Sequence, residues 1–160
     1  MTTLFAEDAL GLRLEAAIRG GNIEQLGRLL DEHPELASVR ILGRKGGTRT
    51  PLHVATDWPG YFPDGPAVVL LLLSRGADPN APGTGGSFAE TPLHWAASSD
   101  DVDVAAALID GGADIEARGG SIAGGGPLDN PSDMRAGTLH AFWSSEAFGL
   151  SASGTRQRWG

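Results

Sequence analysis

Two six-residue stretches recur in this chain with a single letter changed: Thr50-Pro51-Leu52-His53-Val54-Ala55 and Thr91-Pro92-Leu93-His94-Trp95-Ala96. Each is followed by an apolar stretch and then by Gly-Ala-Asp, at Gly76-Ala77-Asp78 and Gly112-Ala113-Asp114. A unit of this size cannot bury its apolar face alone and must stack on its neighbours, so the repeat constrains the fold more than composition does. Each letter has a physical role. Thr50 and Thr91 suit an N-cap, where a hydroxyl accepts from an orphan helix N–H. Pro51 and Pro92 suit the first helical position, where no N–H is needed and φ is already set. Leu52 with Ala55, and Leu93 with Ala96, fall at helical spacing and face the stack. Gly76 and Gly112 fit the left-handed residue that ends a second helix, and the Asp opens a turn into an extended finger.

This ordered pattern resembles the ankyrin repeat, whose signature is TPLHxA, a second helix and a GAD turn. The resemblance implies an all-α, ankyrin-repeat solenoid of helix-turn-helix repeats with extended fingers. From Thr91 to Gly112 is 21 residues, the usual ankyrin spacing, and from Thr50 to Gly76 is 26, so this repeat carries 5 extra. The excess falls in Asp57 to Pro66, where three prolines exclude helix and predict a projecting loop. The finger from Pro79 to Glu90 is also long and glycine-rich. Upstream, Leu14-Glu15-Ala16-Ala17 occupies the Leu-His-Val-Ala slot, and Gly21-Asn22-Ile23-Glu24 matches the turn into a second helix whose buried face is Leu26, Leu29 and Leu30. This reads as a capping first repeat, with Pro34 to Val39 extending it by another turn. The organisation predicted is a repeat domain over 1–130, with a capping repeat near 6–40, repeats near 41–80 and 81–115, and a partial repeat to 130 that opens at Gly126-Pro127-Leu128.

Residues 131–160 are expected to form an irregular tail. They show no GAD, and they hold Phe142, Trp143, Phe148 and Trp159, four of the ten aromatics. One base lost after the Asn130 codon would account for the change, the alternative being a natural tail. In the restored frame Met134-Arg135 yields Ala for any CGN arginine codon, and Phe142-Trp143 yields Leu. Trp143-Ser144 yields Val if the serine codon is TCN, and Glu146-Ala147 yields Gly or Ser. That is the end of a second helix, as in Leu71 to Gly76. Eleven Arg against one Lys point to a GC-rich gene, and such wobble bases complete a further repeat.

Composition excludes several function classes. The formal charge is -8, and residues 1–130 hold 18 acids and 9 bases. That balance argues against a nucleic-acid partner and against an anionic membrane face. The longest apolar run, Ala67 to Leu73, is too short to span a bilayer. There is no cysteine, hence no disulfide and no thiolate site. Residues 1–12 lack a basic start before an apolar stretch, so no signal peptide is expected and the setting is cytoplasmic. His53 and His94 could be taken for metal ligands or bases, the enzyme alternative. Stacking would hold equivalent residues about 10 Å apart, too far for one ion, and the motif gives both rings a structural role. No catalytic motif, metal site or cofactor is expected, and Asp100, Asp101 and Asp103 lack the glycine and distal Glu of a calcium loop.

The reading reached is a protein–protein interaction module without catalysis, its protein partner unidentified. The alternative is a truncated, frame-disrupted product with no retained function. Ankyrin proteins bind partners on the concave face, through finger tips and the solvent side of first helices. Carried over slot by slot, the finger-tip candidates are Arg49, Glu90 and Phe88. The first-helix candidates are Arg19, then Asp57 and Trp58, then Ser98 and Ser99. Trp58, Tyr61 and Phe62 in the inserted loop form the most suggestive cluster, since aromatic anchors dominate interface energy. The competing reading folds these rings back onto the repeat's own helices.

Overall fold

The computed structural model describes residues 2–43, 46–84 and 89–118. Phe88, the segment 119–130 and the tail 131–160 lie outside them. Within the described residues the chain is a stack of three helix pairs. Strand β1 (Thr3–Phe5) leads into α1 (Ala9–Arg19) and α2 (Ile23–Glu32), and a 3-10 turn follows at Pro34–Ser38. Strands β2 (Arg40–Leu42) and β3 (Thr48–Arg49) form the first finger, before α3 (Pro51–Ala55) and α4 (Gly65–Ser74). The third pair is α5 (Pro92–Ser98) and α6 (Val102–Asp110). First helices pack on first helices (α1 on α3, α3 on α5) and second on second (α2 on α4, α4 on α6). Leu14, Leu52 and Leu93, one per first helix and in the same slot, are all fully buried. They form the spine that each unit lacks when alone.

Local chemistry explains the helix ends. Thr50 and Thr91 close capping boxes with the histidines three residues on, and each is followed by proline in the first turn. Asn22 and Asp101 cap α2 and α6, their carbonyl and carboxylate oxygens accepting from Gln25 and Val104 N–H. Gly76 and Gly112 have φ of +90 and +95. That conformation lets Ala77 N–H reach the Leu72 carbonyl and Ala113 N–H reach that of Leu108, closing the second helices. Asn80 ties consecutive turns together: its Nδ2 donates to Gly112 O at 3.1 Å and its Oδ1 accepts from Asp114 N–H at 2.7 Å.

Two expectations need correction. The fold is not purely helical. A three-stranded sheet runs β1-β2-β3, with β1 parallel to β2 (Leu4 opposite Ile41) and β2 antiparallel to β3 (Ile41 opposite Arg49). The finger hairpin leaves an open edge of N–H and C=O groups, and the segment before α1 covers it. Arg40 N–H donates to Thr2 O, and Ala6 N–H to Leu42 O, both at 3.1 Å. The other side of the hairpin is met by the next finger, where Thr48 and Thr84 exchange backbone hydrogen bonds of 2.7 and 2.8 Å.

The second correction concerns Asp57 to Pro66. Gly65 and Pro66 belong to α4, since proline in the first turn costs no hydrogen bond. Nor does the loop project freely. It is held on both sides by neighbouring repeats, as the next section describes.

Candidate functional site

In the first two helix pairs one side chain of the first helix meets the residue just before the next Thr-Pro. In the middle unit that side chain is His53. Its Nδ1 accepts from Thr50 N–H at 3.1 Å, so the proton sits on Nε2, which donates to Glu90 O at 3.0 Å. The edge of the ring meets Trp95, with centroids 5.0 Å apart, and Trp95 Nε1 donates to Glu90 Oε2 at 3.0 Å. Both ring nitrogens are therefore committed to the fold. Burial holds the pKa of His53 down from 6.5 to about 4, aided by the charges of Arg40 and Arg49 and opposed by the Glu90 hydrogen bond. A histidine so placed is neutral at pH 7 and has no free nitrogen for a metal or a proton transfer. Among the described residues, no three His, Asp or Glu side chains group to hold a metal ion.

In the first helix pair Glu15 stands where His53 stands in the second. It accepts from Arg49 Nη2 at 2.6 Å, again the residue before the next Thr-Pro. Asp57 completes a four-member network. Its Oδ2 accepts from Arg19 Nη2 at 2.5 Å and lies 3.3 Å from Arg49 Nη1. Two arginines thus face two carboxylates, all half-buried, so the ends of α1 and α3 carry no net charge at this point. Sequence reasoning named Arg19, Arg49 and Asp57 but passed over Glu15. The signal was there: an acid in the slot filled by histidine in both later units.

The inserted loop, residues 57–64, divides its three rings. Phe62 turns inward and is half-buried beneath Arg19, whose guanidinium lies 5.2 Å from the ring centroid. Trp58 and Tyr61 stay outside, at 71% and 62% exposure. Their backbone is nevertheless fixed. Trp58 N–H donates to Asp57 Oδ1 at 2.9 Å and Gly60 N–H to Asp57 O at 2.9 Å. Tyr61 N–H donates to Asp101 Oδ2 at 2.6 Å, and Tyr61 Oη–H to the carbonyl of Asp100. Tyr61 and Asp100 share the left-handed region, φ 54 and 56. Pro63 sits against Gly21 of the first unit, where a Cβ would fall 2.1 Å from its carbonyl oxygen, and Gly60 sits on Ser99 of the third. One loop therefore spans all three helix pairs.

The remaining candidates separate. Ser98 is exposed. Ser99 is not a surface residue, which corrects its place among the candidates: it is buried, and its hydroxyl donates to Thr56 O at 3.2 Å. The cause is the loop, since Gly60 covers the end of α5. Glu90 is half-buried between Trp95 and the His53 ring. Phe88 lies outside the described residues. Asp101, which sequence reasoning read only as a helix start, is buried and anchors the loop.

Capped helix pairs joined by fingers, stacked so that each unit completes its neighbour, define a helix-turn-helix repeat protein. The ankyrin repeat family model matches residues 48–84 and 90–120. The chain thus carries ankyrin repeats over these residues, and such repeats are protein-interaction modules. No curated protein matches it significantly in sequence. Among the described residues no helix is long and apolar enough to cross a membrane.

Proposed function

We propose that the chain is a non-catalytic docking module that holds another protein on the face formed by the finger residues, the C-terminal ends of α3 and α5, and the 57–64 loop. One observation carries the reading. Trp58 and Tyr61 remain exposed on a backbone already fixed by its neighbours. Large rings on an ordered loop lose little entropy on binding and bury much area, which is what interface anchors do. The histidines support the absence of catalysis, since the one with both nitrogens described is consumed by the fold. The acidic balance sets this face against nucleic acid, and a cytoplasmic setting belongs to the same proposal.

The test is site-specific photo-crosslinking in extract of the source cells. A crosslinking residue replacing Trp58 or Ser98 should give a discrete conjugate with another protein. The same residue replacing Arg28 or Leu70, exposed on the second helices α2 and α4, should give none. Equal yields at all four positions would overturn the reading.

A further inference from the structure

The 57–64 loop has a chemistry more specific than a generic apolar anchor, and the inference drawn from it rests on the interaction face proposed above. From Asp57 to Asp103 the sequence holds seven acids (Asp57, Asp64, Asp78, Glu90, Asp100, Asp101 and Asp103) and one base, Arg75. Arg75 is occupied by an ion pair with Asp31. The acids are not spread evenly about the rings. Tyr61 lies among Asp100, Asp101 and Asp103: its hydroxyl donates to the Asp100 backbone and its N–H to the Asp101 carboxylate. Loss of solvent around the hydroxyl, followed by the charges of Asp100, Asp101 and Asp103, raises its pKa above 10. Asp64 and Asp103 are exposed.

The same loop shows what such a surface accepts. Asp57 and Phe62, its inward pair, hold Arg19 between a carboxylate at 2.5 Å and a ring face at 5.2 Å. Of the outward rings, Tyr61 repeats these ingredients, a ring beside the acids Asp100, Asp101 and Asp103, and Trp58 adds a second exposed ring three residues away on the same loop. Among the described residues no arginine or lysine stacks on either. A guanidinium gains from both parts at once: its plane stacks on an aromatic face while its edge donates to carboxylates. An acidic or neutral segment would gain only ring contact, and an acidic one would meet repulsion.

We propose that Trp58 and Tyr61, with the exposed Asp103 on the Tyr61 side, form a docking surface for an arginine-bearing, cationic segment of a partner protein. Arg19 on Phe62 is its internal counterpart. The loop is bonded to all three helix pairs, so the surface needs no ordering when the segment arrives.

The probe is a synthetic peptide of alternating arginine and glycine, titrated into the full chain at 0.15 M salt and followed by backbone amide shifts and calorimetry. Shifts should concentrate at residues 58–62 and 100–103. Trp58→Ala and Tyr61→Ala should each weaken binding about fivefold or more, and Trp58→Phe should recover most of the loss. Asp103→Asn, which leaves both rings in place, should weaken it about twofold to fivefold. Leu70→Ala, exposed on the second helix α4, should leave affinity within about twofold. Saturable binding that is equal in Trp58→Ala, shifts centred on another acidic surface such as Asp31 and Glu32, or no saturable binding would overturn the proposal. So would shifts that depend on protein concentration alone, which would mean a second copy is the occupant. The crosslinking experiment separates the two failures. Conjugates at Trp58 with no peptide binding would remove the arginine chemistry and keep the interaction face, whereas loss of both would remove the face.

Discussion

Acidification should destabilise this fold well above the pH at which its carboxylates protonate, and His53 is the reason. The folded protein holds His53 neutral until about pH 4, while the unfolded chain takes its proton near 6.5. Between those values unfolding takes up a proton, so stability falls as pH drops through 6.5 and stops falling from this source near 4. A gap of this size gives about 2 kcal/mol of lost stability between pH 7 and pH 5, and about 3 kcal/mol once pH is below 4. At an m-value of about 1.5 kcal/mol per M, the first figure moves the urea midpoint down by roughly 1 M. His53→Gln isolates the effect. A glutamine at this position can still accept from Thr50 N–H, as in an ordinary capping box, and it does not titrate. The variant should lose about 1–2 kcal/mol at pH 7, since the hydrogen bond to Glu90 and the contact with Trp95 go. Its midpoint should then move much less than that of the parent between pH 7 and pH 5. Equal shifts in both proteins would show that His53 is not held neutral, and would refute the assignment of its proton to Nε2 and of its burial as the cause.

Three further outcomes can be checked by urea unfolding. Trp95→Ala should cost about 2–3 kcal/mol, less than a fully buried aromatic because Trp95 is half-exposed, while Trp58→Ala should stay within about 0.5 kcal/mol; equal midpoints would contradict the ordering. Arg49→Ala should cost about 1–2 kcal/mol, because Glu15 and Asp57 lose a shared partner while all three side chains keep some solvent. Arg49→Lys should recover only part of that, since one ammonium cannot serve two carboxylates as a fork does. Gly21→Ala should cost about 2–3 kcal/mol, since φ is +64 and the new methyl would meet the Pro63 carbonyl; a neutral result would mean the loop is not seated on the first unit.

The helix pairs were legible because their signals are local. Thr-Pro at a start, Gly-Ala-Asp at an end and leucines at helical spacing act through neighbours in sequence, and the structure caps α3 and α5 and closes α4 and α6 with those residues. The parallel strand β1 was not legible. Thr3-Leu4-Phe5 is too short to carry an alternation, and its partner Arg40–Leu42 lies beyond an entire helix pair. What places it is the open edge of the finger, a property of the folded hairpin and not of residues 3–5.

The site divides along the same line, and the loop shows why. Its length excess was countable, and its prolines excluded a continuous helix, but neither states which way a ring faces. Phe62 goes inward because Arg19, from the unit before, lies over it; Tyr61 goes outward because its backbone is drawn to Asp101, from the unit after. Ser99 is lost from the surface for a related reason, since Gly60 settles on it. Each of these contacts joins residues about forty positions apart, one repeat length. In a stacked array the repeat period is therefore the one long-range rule that sequence offers. Applied to side chains as well as to helices, it pairs Glu15 with the residue before the next Thr-Pro, Arg49, as it pairs His53 with Glu90. Insertions break that rule, because they add residues that have no equivalent in the neighbouring unit. The same property leaves the rings of Trp58 and Tyr61 largely exposed, with the Tyr61 hydroxyl tied to Asp100, and open to a partner from outside the repeat.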